Sequence, residues 1–234
     1  MSESFRTPFR IVLFLTVCAI FPTLSFAKSK AATPFSPADA LANRINSMQP
    51  IQVPGVAIDN FGVVDGHIYR GSQPGRKDYA ALASIGVRTV IDLREDSLSS
   101  AARDARAAGL KYINIQIDGH GTPSDSQAAE FLKAVSDPDN GVVYVHCAGG
   151  RHRTGSMIAL YRMTMDGWDI DKAYQEMLAY DFYTSGGHQG FKTYVYDYYH
   201  RMTRNPTSVP VAYSLPADKP TLLADNLKNA TPAK

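Results

Sequence analysis

Three short β-branched runs constrain this chain most: VRTVIDL (87–93), LKYINIQI (110–117) and GVVYVH (141–146), each separated from the next by one helix-patterned segment. Strands joined through a helical crossover run parallel. Runs that stay apolar through their centres read as strands covered on both faces. The expected fold is α/β, a central, mostly parallel sheet with helices on both faces. Upstream, FGVVDGHIYRGSQP (61–74) reads as two short strands around Asp65-Gly66, a hairpin signal. KDYAALASIG (77–86) reads as a helix closed by Gly86, and SLSSAARDARAAG (97–109) as one ending at Gly109. Further helices are expected over 126–135, 153–165, 169–180 and 189–202. In the last of these Phe191, Tyr194 and Tyr198 share one face, which assigns them to the core.

The ends differ in kind from this middle. Arg6 and Arg10 precede the apolar run IVLFLTVCAIF, and SFA ends at Ala27. A charged start, a short apolar centre and small residues at the end make a secretory signal over 1–27. The run is interrupted by Pro22 and is shorter than the roughly 20 residues that span a bilayer, so no stable membrane insertion is expected after cleavage. Residues 28–50 read as a linker or a short helix (36–48), 51–203 as the folded domain, and 204–234 as a disordered tail rich in proline and small polar residues. The expected location is exported, periplasmic or secreted. Cleavage removes Cys18 and leaves Cys147 as the one cysteine, so no internal disulfide can form. The formal net charge of 234 residues is +2, so nothing global points to nucleic acid and any positive potential must be local.

Such a locality lies after the third strand. His146 and Cys147 end the run, Ala148, Gly149 and Gly150 follow, then Arg151, His152, Arg153 and Thr154 at a helix start. Ligands of open α/β sheets gather at the C-terminal ends of strands. Glycines let backbone N–H groups turn inward, and with a helix N-terminus they form an anion cradle. Arg153 can curl back to grip two oxygens of an oxyanion. The same field favours the thiolate of Cys147. Thr154 can offer its hydroxyl to the sulfur. A nucleophile inside an oxyanion cradle suits covalent phosphoryl transfer. No His, Cys, Asp or Glu cluster has metal-ligand spacing, and neither metal nor cofactor is expected.

The pattern His-Cys-x-x-Gly-x-x-Arg-Thr-Gly resembles the cysteine-dependent protein tyrosine phosphatase superfamily, including its dual-specificity group. CAGGRHRTG, YRGSQP (69–74) and VIDLRED (90–96) look most like the atypical plant and fungal dual-specificity phosphatases and the related phytases. The resemblance covers about residues 60–200. It implies a phosphatase fold whose Cys-x5-Arg loop joins a strand to a helix, with Cys147 as nucleophile and Arg153 as phosphate ligand. It also implies substrate contacts from Ala148, Gly149, Gly150, Arg151, His152 and Thr154, and support of the thiolate by His146. His146 is equally readable as a satisfied core histidine. The family needs a general acid from the loop before the cysteine strand. Its usual Trp-Pro-Asp is absent, and DGHGTPSDS offers Asp118, His120 and Asp125. Asp118 ends a strand beside a glycine-rich loop and is the expected acid, while Asp125 reads as a cap of the next helix.

Other polar residues carry quieter readings. Arg94 is expected to pair with Glu95, Asp96 or the loop, and Asp92 to hydrogen-bond locally. Arg70 and Gln73 are expected to buttress the loop or line the pocket, and SGGHQG (185–190) resembles a water-positioning glutamine segment. The expected substrate is a phosphorylated protein, with inositol polyphosphates or phosphoinositides as the alternative. A phosphate-binding pseudophosphatase is the reading from another class, and rhodanese-like sulfur transfer is disfavoured by the RTG that closes the loop.

Overall fold

The computed structural model describes residues 48–97, 99–204 and 231–232. The expected signal segment (1–27), the helix at 36–48 (but for its last residue) and most of the expected tail lie outside those residues. Within them, five strands form one sheet in the order β2-β3-β6-β4-β5: β2 (Gly62–Val63), β3 (Ile68–Gly71), β4 (Thr89–Arg94), β5 (Lys111–Ile117) and β6 (Val143–His146). The β2–β3 hairpin is antiparallel, and β3–β6, β6–β4 and β4–β5 are all parallel. A separate two-residue ladder pairs β1 (Ile51–Gln52) with β7 (Thr231–Pro232). Those last two residues are paired strand rather than structureless tail.

Alternation along the strands explains why both faces are covered. In β6, Val143 and Val145 point to one apolar cluster and Tyr144 to the other. In β4, Ile91 and Leu93 point one way and Val90 the other. The first cluster is closed by α3 (Asp125–Ser136), α4 (His152–Met165), α5 (Ile170–Ala179) and α6 (Gln189–Arg204). The second is closed by α1 (Asp78–Ser84) and α2 (Ser99–Ala107). Phe191, Tyr194 and Tyr198 are buried in the first cluster as their spacing requires. Arg204 is the last residue of α6, so the helix runs into what reads as the start of the tail.

Helix starts follow local chemistry. Ser124 caps α3 in a capping box: its Oγ accepts from the Gln127 N–H, and the Gln127 side chain accepts from the Ser124 N–H. This corrects the reading of Asp125 as the cap. Asp125 stands in the first helical turn, where it accepts from Tyr194 Oη at 3.0 Å and from Arg201 Nη2 at 2.7 Å.

The hairpin is tied to α4 by a buried polar knot. Asp65 Oδ1 accepts the backbone N–H groups of His67 and Ile68, and its Oδ2 accepts the Tyr161 hydroxyl at 2.6 Å. Burial alone would raise the Asp65 carboxyl. Its bonds to His67 and Tyr161 prevail and hold it well below the usual carboxylate range. Its contribution to stability is therefore present above about pH 4 and fades as the pH falls toward the depressed value. Tyr161→Phe removes one hydrogen bond to a buried carboxylate and should cost about 1.5–3 kcal/mol. Thermal melts should show a Tm roughly 3–12 °C lower, with turnover unchanged at temperatures where the variant is folded.

Candidate active site

Parallel strands bring their C-terminal ends to one edge, and the sheet order decides which residues meet there. Gly71, Asp92 and His146 stand in register across β3, β4 and β6, and Cys147 follows His146 directly. Asp118 follows the end of β5, two strands away. The loop from Cys147 to Arg151 then leads into α4, which starts at His152.

Four consecutive carbonyls of this loop are bonded to donors outside it. Cys147 O lies 3.2 Å from His146 Nδ1, and Ala148 O accepts the Gln73 N–H at 3.0 Å. Gly149 O accepts Asn60 Nδ2 at 3.3 Å, and Gly150 O accepts Arg70 Nη2 at 3.2 Å. In a trans peptide the C=O and the following N–H point in opposite directions. Turning the carbonyls outward therefore turns the N–H groups of 148–151 toward the interior of the loop, which is what an anion cradle needs. Close packing enforces the shape. Gly150 has φ +69°, and a Cβ there would lie 2.5 Å from the Gly71 carbonyl carbon and oxygen.

The donors are themselves held. Asp92 accepts from Arg94 Nη2 at 2.8 Å and Nε at 3.0 Å and from Tyr112 Oη at 2.6 Å. Arg94 Nη1 then reaches Gln73 Oε1 at 2.7 Å. Arg94 thus pairs with Asp92, not with Glu95 or Asp96, and Asp92 anchors a network that runs to the loop. The buried ring of His146 stacks on Tyr144, and its Nε2 lies 3.8 Å from Asp92. Burial pushes His146 down to about 4 against the pull of Asp92, so the ring is neutral at physiological pH. Asn60 also donates to Tyr180 O at 3.0 Å. Arg70 and Gln73 do buttress the loop. Nothing in the sequence singled out Asn60; its one structural mark is a positive φ of 56°, which asparagine tolerates better than most residues.

The cationic residues divide. Arg153 Nη1 donates to Ile117 O at 3.2 Å, and its guanidinium lies against Gly119 on the acid loop. Asp118 Oδ1 accepts the His120 N–H at 2.8 Å. The His120 amide first, then the Gly121 amide and the charges of His120 and Arg153, hold the exposed Asp118 carboxyl below the usual range. Arg151 faces Asp181 at 3.7 Å. His152 is packed: its ring stacks on His188 at 3.7 Å, meets Tyr183 edge-on at 4.4 Å, and its Nε2 lies 3.1 Å from Tyr183 O. Burial first, then neighbouring positive groups, push it down to about 4. His188 stacks on His120 in turn, so three rings join α4, the loop before α6 and the acid loop. Within SGGHQG it is His188 that reaches this edge, a role the sequence did not reveal; Gln189 is the first residue of α6. Cys147 is buried, and the buried hydroxyl of Thr154 has no hydrogen-bond partner among the described residues. Among those residues no group of three His, Cys, Asp or Glu is arranged to hold a metal ion.

The family model described as DSP-PTPase phosphatase fused to NAD+ kinase matches residues 59–192. The chain belongs to this family. Relatives of the chain are named as tyrosine-protein phosphatases, dual specificity protein phosphatases or inositol diphosphatases. The probable tyrosine-protein phosphatase DG1060 of Dictyostelium discoideum is 27% identical over 50% of this chain and 73% of its own length. The inositol diphosphatase DSP1 of rice is 30% identical over 50% of this chain and 54% of its own. The chain thus spans little more than half of the rice protein. Among solved structures, the catalytic core of the PP-IP phosphatase Siw14 of S. cerevisiae aligns with TM-score 0.54 and 19% identity, covering 68% of this chain and 99% of that one. TpbA of P. aeruginosa aligns with TM-score 0.52 and 24% identity over 62% and 91%. At these identities the structural likeness speaks to the fold alone, a mixed, mostly parallel sheet with helices.

In this family member the loop has no room at Gly150. Gly150→Ala places a side chain in a left-handed backbone and against Gly71. Steady-state assays should show kcat/KM lower by about 10²-fold, as misplaced cradles do, and melts should show a loss of about 1–3 kcal/mol.

Proposed function

We propose that this protein is a phosphatase that hydrolyses phosphate monoesters through a cysteinyl-phosphate intermediate. The observation that carries this reading is the loop with four outward-turned carbonyls, with Cys147 at one end and Arg153 at the other. In the first step Cys147 Sγ bonds to phosphorus as the ester P–O bond breaks, and Asp118 passes a proton to the leaving oxygen. In the second step a water oxygen bonds to phosphorus, the S–P bond breaks, and Asp118 takes the water's proton. Inorganic phosphate leaves and the thiolate is restored. The loop amides and the Arg153 fork hold the three non-bridging oxygens throughout.

The proposed substrate is phosphotyrosine in proteins, with dual specificity. Arg151 is engaged with Asp181 and His152 is a neutral packed ring, which leaves Arg153 as the loop cation that answers a single phosphate. The tyrosine phosphatase relative supports the same reading. A second reading, inositol diphosphates, is favoured by the rice relative. Removal of residues 1–27 and action outside the cytoplasm are also proposed, supported by the charged start, apolar run and small residues ending at Ala27. Mass analysis of protein recovered from the exported fraction should give Lys28 as first residue; retention of the leader there would refute cleavage.

Cys147→Ser should abolish turnover of phosphotyrosine peptide, and residual turnover above about 1% of wild type would sink the covalent mechanism. Asp118→Asn should lower kcat on an alkyl phosphate by about 10²–10⁴-fold. The loss should be much smaller on p-nitrophenyl phosphate, whose leaving oxygen needs little protonation. Asp125→Asn, in contrast, should lose stability through Arg201 and Tyr194 and leave that ratio unchanged. Run side by side, wild-type kcat/KM should be higher on a phosphotyrosine peptide than on an inositol polyphosphate; the reverse order would install the second reading.

A further inference from the structure

Arg70 heads the largest fully buried side chains, and no step above uses it chemically. It leaves the C-terminal half of β3, and its guanidinium carbon lies 3.7 Å from the centre of the Tyr180 ring. Nη2 donates to Gly150 O, while Nε and Nη1 have no acceptor among the described residues. A Cβ on Gly155 would come within 3.8 Å of Nη2, so the fork sits between the back of the phosphate loop and the first turns of α4. The buried carboxylates of Glu176 and Asp92 are committed elsewhere. Glu176 is bonded to Arg162 at 2.9 Å, and Asp92 to Arg94 at 2.8 Å.

Holding Gly150 O needs only one neutral N–H, which a glutamine would supply. A buried cation without a carboxylate of its own is costly, and burial pulls Arg70 below the usual guanidinium range. Among the groups whose charge acts on it, Tyr180, Glu176 and Cys147 favour its charged form and Arg162 opposes it. The loop that Arg70 touches at Gly150 is the one that begins at Cys147, so an anion held in that loop is the negative charge placed to answer the two N–H groups that lack an acceptor among the described residues. We propose that Arg70 is a positioning residue that holds the phosphate loop from behind, and that its unpaired charge favours the thiolate of Cys147 and the oxyanion bound above it. The proposal builds on Cys147 as nucleophile, yet it can be read without turnover.

The test is alkylation of the full chain by neutral iodoacetamide, followed at the Cys147 peptide by mass spectrometry, at pH 6 and pH 9.5. A free thiol ionises near about 8.5, so at the higher pH deprotonation no longer limits the rate. At pH 6, Arg70→Gln should react about 10-fold more slowly than wild type, and at pH 9.5 within about 2-fold of it. Arg70→Lys, which keeps the charge, should match wild type at both. A loss of the same factor at both pH values, or an equal loss in the Lys and Gln variants at pH 6, would make Arg70 a packing residue and overturn the proposal. Unchanged reactivity of Arg70→Gln would overturn it too. Should Arg70→Gln fail to fold, Arg70→Lys carries the test. Its rate ratio between the two pH values must stay within about 3-fold of wild type while kcat/KM falls through loss of the fork; a ratio about 10-fold lower refutes the charge role. Absence of wild-type turnover on p-nitrophenyl phosphate would instead sink the phosphatase reading and leave the alkylation ratios readable.

Discussion

The outward turn of the carbonyls at 147–150 is the constraint on which the site depends. A glycine-rich segment has many conformations, and an anion cradle is one of them. Here the choice is made before any anion arrives, because four donors from three parts of the chain take the carbonyls. The segment before β2 sends Asn60, the end of β3 and the turn after it send Arg70 and Gln73, and β6 sends His146. These donors can converge because β3 lies beside β6 and β6 beside β4. A different strand order would leave the same loop sequence without its supports.

Supports of this kind need supports of their own. Gln73 is held by Arg94, Arg94 by Asp92, and Asp92 by Tyr112 on the neighbouring strand. Breaking one member leaves a buried charge or an unmade bond behind, so the cost of any single change exceeds the worth of the pair it removes. The histidines are used in the opposite sense. His146 and His152 are pushed down to about 4 by burial and serve as neutral, stacked rings. Positive charge within and behind the phosphate loop is thereby confined to arginines. Those arginines have distinct surroundings: Arg153 against the acid loop, Arg151 toward Asp181, Arg70 behind the loop.

Much of the fold was legible because it rests on periodicity. The β4, β5 and β6 runs, the Asp65-Gly66 hairpin and the helices closed by Gly86 and Gly109 all follow from apolar spacing and turn chemistry, which are local. The loop was legible for the same reason: Cys147 to Thr154 is contiguous. What escaped was non-local. Asn60 is 89 residues from the carbonyl it holds, and nothing around it marks it as a loop donor. Arg94 has two acidic neighbours in sequence yet bonds to Asp92, because alternate residues of a strand share a face and the bulge after Asp92 brings the two side chains together. Ser124 rather than Asp125 caps α3 because the Gln127 three residues on completes a reciprocal box with it. His188 belongs to a stack of three rings from three elements, which only the assembled fold brings together.

The proposed mechanism asks opposite things of one carboxyl. To protonate a leaving oxygen Asp118 must carry a proton; to take one from water it must not. At rest the balance lies with the second state. The amides of His120 and Gly121 point at the carboxylate and Arg153 adds a positive charge, all of which favour the ionised form. A phosphate dianion entering the loop offsets one of these influences and adds another of opposite sign. It occupies Arg153, and its own charge beside Asp118 favours the protonated acid. Leaving the His120 amide to reach the substrate oxygen removes a second, and the glycines at 119 and 121 let the loop make that movement at little conformational cost. Once the leaving group has gone and the phosphoryl group sits on sulfur, the negative charge facing Asp118 drops, and the carboxylate is again the favoured state when water needs a base. The substrate thus sets the protonation state that each step requires, and a loop whose resting carboxyl is held as a base can serve as the acid only while the dianion is bound.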